Sequence, residues 1–125
     1  EIQDHVHWID QQQTANQWLP AIDCYVSTTR HVGHSTGILH GMSAGLPIAA
    51  FDCPGNRELL ISGEQGLLTP GGDCGSLARA VWKLLGDPKL ARQLGKQGRE
   101  RVQQLFTTDK MVESHHTLYQ SIPIH

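Results

Sequence analysis

Residues 28–52 hold the side chains best suited to chemistry. A polar turn carries Arg30, His31, Gly33, His34, Ser35 and Thr36, and the strand-like run PIAAF follows at 47–51. The turn comes directly after the apolar run CYVST at 24–28. A helix is expected over residues 35–45, with Gly45 closing it and Pro47 leading into the next strand. Strand, turn, helix and strand make one βαβ unit. Ligands of open α/β sheets bind beyond the carboxyl ends of the strands, where the turn 30–36 lies. Free N–H groups and the positive dipole end of the helix suit a phosphate there. His31, His34 and His40 with Cys53 suggest a second chemistry, since imidazole and thiolate bind zinc. Their spacing matches no closed structural zinc pattern, so no metal is expected.

The same stretch resembles the signature of the family-4 glycosyltransferases, in the C-terminal lobe of a GT-B enzyme. That pattern reads roughly S-x-x-E-G-F-G-x-x-x-L-E-A-M-A-x-G-x-P-V-V-A, and residues 39–50 here read LHGMSAGLPIAA. CPGNRELL at 53–60 resembles the family's G-G-x-x-E, with Gly55 and Glu58 in register. GLLTPGGD at 66–73 resembles G-x-L-V-x-x-x-D. The resemblance runs from about Val6 to Tyr119.

It implies roles residue by residue. Gly33 falls on the first glycine of E-G-F-G, and Ser35 replaces the second. The amides of Thr36 and Gly37 match positions that contact donor phosphate. His40 falls on the second glutamate, which accepts hydrogen bonds from the nucleotide ribose; a neutral imidazole accepts one such bond. Val32 falls on the first glutamate, beside the donor sugar, and cannot hydrogen-bond to it. Arg30, His31 or His34 takes over that role, or activity is altered or lost. Glu58 has two readings, donor-side or a first-turn acid favoured by the helix dipole.

These residues need a scaffold. The 125 residues are expected to form one domain with enough chain for a core. A hydrophobic share of 38% and a mean hydropathy of −0.33 fit a soluble globular protein. The net charge of −2 gives no basic footprint for nucleic acid. No apolar run approaches membrane-spanning length, and no signal peptide is expected. Three cysteines at irregular spacing fit reduced cytoplasmic thiols. The first residue is not Met, so a longer parent protein is expected.

Four strands are expected, at residues 6–9, 24–28, 47–51 and 66–69. Helices are expected at 14–22, 35–45, 57–61, from a cap at Asp73 to Leu85, from Asp87–Pro88 to Phe106, and after Thr107 or Thr108. Asn56 is the expected cap of the third of these. Cys24, Val26, Ile38, Leu39, Met42, Ile48 and Ala50 are the expected core of the central unit. The later helices are expected to turn inward Leu77, Ala80, Val81, Leu84 and Leu85, then Leu90, Leu94, Val102 and Leu105. The last helix adds Met111, Val112, His115, Leu118, Tyr119 and Ile122. Of His115 and His116, one is expected buried and one exposed. Trp8, Trp18 and Trp82 read as packing residues. Residues 89–101 form a basic, solvated face, with an anionic membrane surface as the other reading.

The whole reads as an α/β, Rossmann-like, doubly wound parallel sheet with helices on both faces. The resemblance implies a retaining transferase using a nucleoside-diphosphate sugar, UDP- or GDP-linked, without a cofactor. It implies a saccharide or lipid-linked acceptor in bacterial surface polysaccharide synthesis. The expected location is cytoplasmic, with the inner face of the membrane as the further reading. The resemblance also implies an N-terminal lobe beyond this chain. The alternative is a non-catalytic, degenerate lobe that binds a nucleotide sugar or a partner protein; a third is an α/β domain with another phosphate ligand.

Overall fold

Ile48–Phe51 is the central strand, β2, of a three-stranded parallel sheet in the computed structural model, which describes residues 1–9, 15–31 and 33–123. β1 (Tyr25–Ser27) pairs with one edge of β2 and β3 (Gly66–Thr69) with the other. All four residues of β2 are buried, as a strand covered on both faces requires. Side chains alternate between faces. Ile48 and Ala50 join Ile38, Met42, Leu59, Leu60 and Val102 on one side. Ala49 and Phe51 join Leu77, Ala80, Leu84 and Leu94 on the other.

The described residues form six helices: α1 (Ala15–Trp18), α2 (Thr36–Ser43), α3 (Pro54–Leu59), α4 (Cys74–Gly86), α5 (Pro88–Leu105) and α6 (Thr108–Ser121). Their starts follow from caps. Ser35, Asp73, Asp87 and Thr107 each accept a hydrogen bond from the amide three residues on, at 3.3, 2.9, 3.0 and 3.3 Å. α2 ends in a Schellman motif. The Leu46 amide bonds Gly41 O at 3.0 Å and the Gly45 amide bonds Met42 O at 2.9 Å. Gly45 takes φ +75, which only glycine adopts cheaply. α5 serves both clusters, giving Leu94 to one and Val102 to the other.

The expected parallel sheet with helices on both faces is present, with three strands instead of four. Residues 6–9 are irregular and exposed, after a 3-10 turn at Ile2–His5. A strand needs a neighbour for its backbone groups, and the described residues offer this run none. The helix expected from Thr14 begins outside the described residues. It gives α1 and then a 3-10 turn, Leu19–Ala21, because Pro20 cannot donate the next helical bond. α3 starts at Pro54 with Cys53 as its N-cap, not at Asn56. Asn56 lies fully buried inside the helix, its Nδ2 donating to Phe51 O at 2.8 Å.

Of the expected core, Ile38, Met42, Ile48 and Ala50 are buried, and Leu39 and Cys24 are half-buried. Val26 is 41% exposed. The register pairs Tyr25 with Ile48, so Tyr25 lies under α2 and Val26 faces the opposite side at the sheet edge. The Tyr25 ring fills space that side chains at Gly37 and Gly41 would occupy. Leu77, Ala80, Leu84, Leu94 and Val102 are buried as expected; Leu85 and Leu105 face solvent.

α6 departs most from expectation. Met111, Val112, Leu118, Tyr119 and Ile122 are exposed, and so are both His115 and His116. Its sequence pattern marks an apolar face, but among the described residues nothing packs along that face. Trp8, Trp18 and Trp82 are exposed as well. They sit at the margins of apolar runs, where the pattern does not define a buried side.

Packing gives a stability prediction. Ile38→Ala removes a fully buried side chain and should cost about 2–5 kcal/mol. On α5, a methyl at Gly95 would run into the Gly45 carbonyl, so Gly95→Ala should cost about 1–3 kcal/mol by overpacking. Denaturant melts test both. Losses under about 0.5 kcal/mol, the range of ordinary surface changes, would show that α2 and α5 do not meet as described.

Candidate functional site

Three loops leave the carboxyl ends of the strands side by side. After β1, residues 28–35 lead to the N-terminus of α2. The Ser35 hydroxyl accepts from the Ile38 amide. The amides of Thr36 and Gly37, first and second in the helix, have no acceptor among the described residues. After β2, Asp52 extends the ladder, its amide donating to Thr69 O at 2.7 Å. After β3, Pro70, Gly71 and Gly72 turn the chain into α4.

Charged groups tie these loops. The Arg57 guanidinium, on α3, clasps Asp52 with two bonds, Nε to Oδ1 and Nη2 to Oδ2, the second at 3.0 Å. Hydrogen bonding from Arg57, aided by its charge, holds the Asp52 carboxyl below the usual range, against a small opposing effect of burial. Asp73 is engaged by its own helix. Its Oδ2 accepts from the Ser76 hydroxyl at 2.6 Å and Oδ1 from the Ser76 amide. Those bonds lower its pKa too. Arg30 reaches from the β1 loop to the β3 loop. A Cβ at Gly72 would stand 3.1, 3.3 and 3.4 Å from its Cζ, Nη2 and Nε.

The expected site residues fall into separate groups. Ser35, Thr36 and Gly37 come together at the start of α2. Gly33 is exposed in the turn before it, with open space where a side chain would be. Arg30 lies over Gly72. His34 turns toward the α5–α6 junction, its ring edge-on to Phe106 with centroids 6.0 Å apart. His40, on the second turn of α2, lines a different cleft with Leu19, Pro20, Ser43 and Ala44. Glu58 is exposed at the last turn of α3, not its first, so the helix-dipole reading of that acid fails; its backbone carbonyl accepts from Arg101 at 3.4 Å. Val32 lies outside the described residues. Among the described residues, no group of three or more His, Cys, Asp or Glu is placed to hold a metal.

Sequence reasoning missed three features. The Asp52–Arg57 clasp spans a strand end and a helix, which no single periodicity links. The Gly72 contact of Arg30 joins loops 42 residues apart by number. Arg101, taken as part of a solvated face, donates to Leu59 O at 2.7 Å and caps the carbonyl end of α3. A cleft of about 450 Å³ lined by Asp23, Gly45, Pro47 and Arg92 lies at the opposite, amino end of the strands and is separate from these loops.

The sequence profile described as glycosyl transferases group 1 matches residues 1–87. The putative glycosyltransferase EpsD of Bacillus subtilis is 34% identical over 94 residues, 73% of this chain and 25% of that protein. The lipopolysaccharide core biosynthesis glycosyltransferase LpsE of Rhizobium meliloti is 25% identical over 122 residues, 98% of this chain and 36% of that protein. The structure of sucrose-phosphate synthase from Thermosynechococcus elongatus superposes with a TM-score of 0.80 at 34% identity, over 92% of this chain and 29% of that one. The chain thus spans about a quarter to a third of each of these three proteins.

The Asp52 clasp has a pH signature. A carboxyl depressed in the folded state contributes stability above its unfolded pKa, about 3.9. That contribution is lost as pH falls through the lower folded value. Both partners are exposed enough for the effect to be small. Carboxyl NMR titration should place Asp52 below the ordinary value, and Arg57→Ala should return it. An unchanged Asp52 midpoint in Arg57→Ala would show that the clasp does not hold in solution.

Proposed function

The chain belongs to the glycosyl transferases group 1 family, and on that premise we propose that it is the C-terminal, donor-binding part of a GT-B glycosyltransferase. The reading rests on one observation above others: a capped helix start, at the carboxyl edge of a parallel sheet, with two amides that have no acceptor among the described residues. Such a helix start holds phosphate. The donor is a nucleoside-diphosphate sugar, UDP- or GDP-linked, and transfer is retaining. Catalysis is electrostatic: amides and cations stabilise the diphosphate as it leaves. No cofactor or metal takes part. The acceptor, a saccharide or lipid-linked saccharide, binds to an N-terminal lobe of the same protein. Similarity to a lipopolysaccharide core transferase supports a setting in surface polysaccharide synthesis. Among the described residues no helix is long and apolar enough to cross a membrane. The exposed Lys89, Arg92, Lys96 and Arg99 of α5 supply cations for contact with the inner, cytoplasmic face of an anionic membrane.

A second reading is a degenerate lobe that binds a nucleotide sugar, or a partner protein, without turning donor over. Val32 and His40 in place of the two family glutamates favour it. Donor binding with no transfer or donor hydrolysis by the full-length protein would select it.

Two measurements test the site. In this reading His40 accepts a ribose hydroxyl through its neutral nitrogen, a bond of about 0.5–1.5 kcal/mol net. His40→Ala should weaken nucleotide binding up to roughly tenfold. His40→Glu should bind as well or better, because a charged acceptor makes the stronger bond. Calorimetric titration of UDP and GDP sugars into the full-length protein measures this, and equal affinities for all three forms would remove His40 from the ribose. The 125-residue chain alone should transfer no sugar, since the acceptor side is elsewhere. Donor-dependent glycosylation by the purified chain would overturn the two-lobe reading.

A further inference from the structure

Among the described residues, Arg30 is the cation at the carboxyl edge of the sheet that is left over once Asp52 and Asp73 are accounted for. Asp52 is held by Arg57 through two bonds. Asp73 is occupied by the amide and hydroxyl of Ser76, and Ser76 in turn accepts from Arg79 at 2.7 Å. Among the described residues Arg30 takes part in no ion pair and no hydrogen bond. All five N–H donors of a guanidinium are therefore available. The group is nevertheless positioned. It lies against the Gly72 backbone, within van der Waals distance of where a side chain there would begin. Gly72 has φ +83, a conformation that disfavours any L side chain. The turn between β3 and α4 thus leaves a bare peptide surface on which the planar guanidinium rests. The side chain starts in the loop after β1 and ends over Gly72 in the loop after β3, so it links the first and third loops of the carboxyl edge.

We infer that Arg30 is the residue of this chain that grips the diphosphate of the donor, and that Gly72 is the seat that positions it. The inference rests on the donor-binding reading above and assigns Arg30 to the phosphates instead of the sugar. A guanidinium pairs with phosphate oxygens through two parallel bonds, which a lysine ammonium cannot reproduce. With its orientation already set by Gly72, little side-chain freedom is lost on binding. The charge stands where it neutralises the leaving diphosphate as the glycosidic bond breaks, complementing the uncharged amides of Thr36 and Gly37.

The test compares nucleosides, nucleoside diphosphates and the corresponding sugar nucleotides by calorimetry on the full-length protein, in the uridine and guanosine series. Arg30→Gln should weaken UDP or GDP roughly ten- to hundredfold. The nucleoside should change less than about twofold, and the sugar nucleotide should lose as much as the diphosphate. Arg30→Lys should fall between, and thermal melts of both variants should match the unaltered protein. If Arg30→Gln does not fold, Arg30→Lys still decides, through loss for the diphosphate with none for the nucleoside. Equal loss for nucleoside and diphosphate would make Arg30 a structural latch and overturn the inference. So would a loss confined to sugar nucleotides, which would place it at the sugar, or unchanged binding. If the unaltered protein binds neither UDP nor GDP, the donor-site reading itself fails, a result distinct from failure of the Arg30 assignment.

Discussion

Burial of β2 on both faces is the constraint on which the rest depends. Its four residues are all inaccessible, and a strand of Ile, Ala, Ala and Phe is stable there only if two layers cover it. The small residues at its centre let those layers come close. α2 and α3 supply one layer and α4 the other, while α5 reaches both. Covering β2 also sets the chemistry, because the parallel pairing that buries it sends all three strand ends, and the loops after them, to one edge. The gathering of those loops follows from how the central strand is buried.

α2 joins packing to site. Its inner face is fixed by Ile38 and Met42, both fully buried. Its outer end is fixed by the Gly45 turn and its inner end by the Ser35 cap. A helix pinned at both ends and along one face cannot rotate without exposing its core residues. The direction of its first amides is therefore a property of the fold. The ring of Tyr25, filling the space left by Gly37 and Gly41, brings β1 and the helix start close.

What the sequence made legible was local. Caps are written in one residue and its third neighbour, so the starts at Asp73 and Asp87 could be read directly and that of α6 to within one residue, Thr107 or Thr108. β2 could be read because an apolar run between Pro47 and Asp52 has few other fates. What failed depended on partners. The phase of β1 was misassigned because Cys24 and Val26 look more apolar than Tyr25 and Ser27; only the register with Ile48 shows that Tyr25 lies beneath α2. The α6 stripe has helical spacing, but spacing shows that a face is apolar, not what covers it. Residues 6–9 failed for the same reason. At the site, the family pattern pointed to the α2 turn, yet it could not show that His34 and His40 line different clefts or that Arg30 reaches Gly72.

Two carboxylates at this edge would ordinarily repel an anion placed at the start of α2. Here neither is free to do so. Asp52 forms a two-bond pair with Arg57, which cancels its charge at close range, and Asp73 directs its oxygens at Ser76 and the start of α4. Both acids serve structure: one ties Arg57 of α3 to the end of β2, the other begins α4. With Asp52 paired and the oxygens of Asp73 turned to its own helix, the edge presents to a ligand the amides of α2, which have no acceptor among the described residues, and the guanidinium of Arg30. Interactions among exposed charges are screened within about 10 Å at ordinary salt, so this local balance outweighs the chain's net charge of −2. An acidic protein thereby keeps an edge suited to an anion.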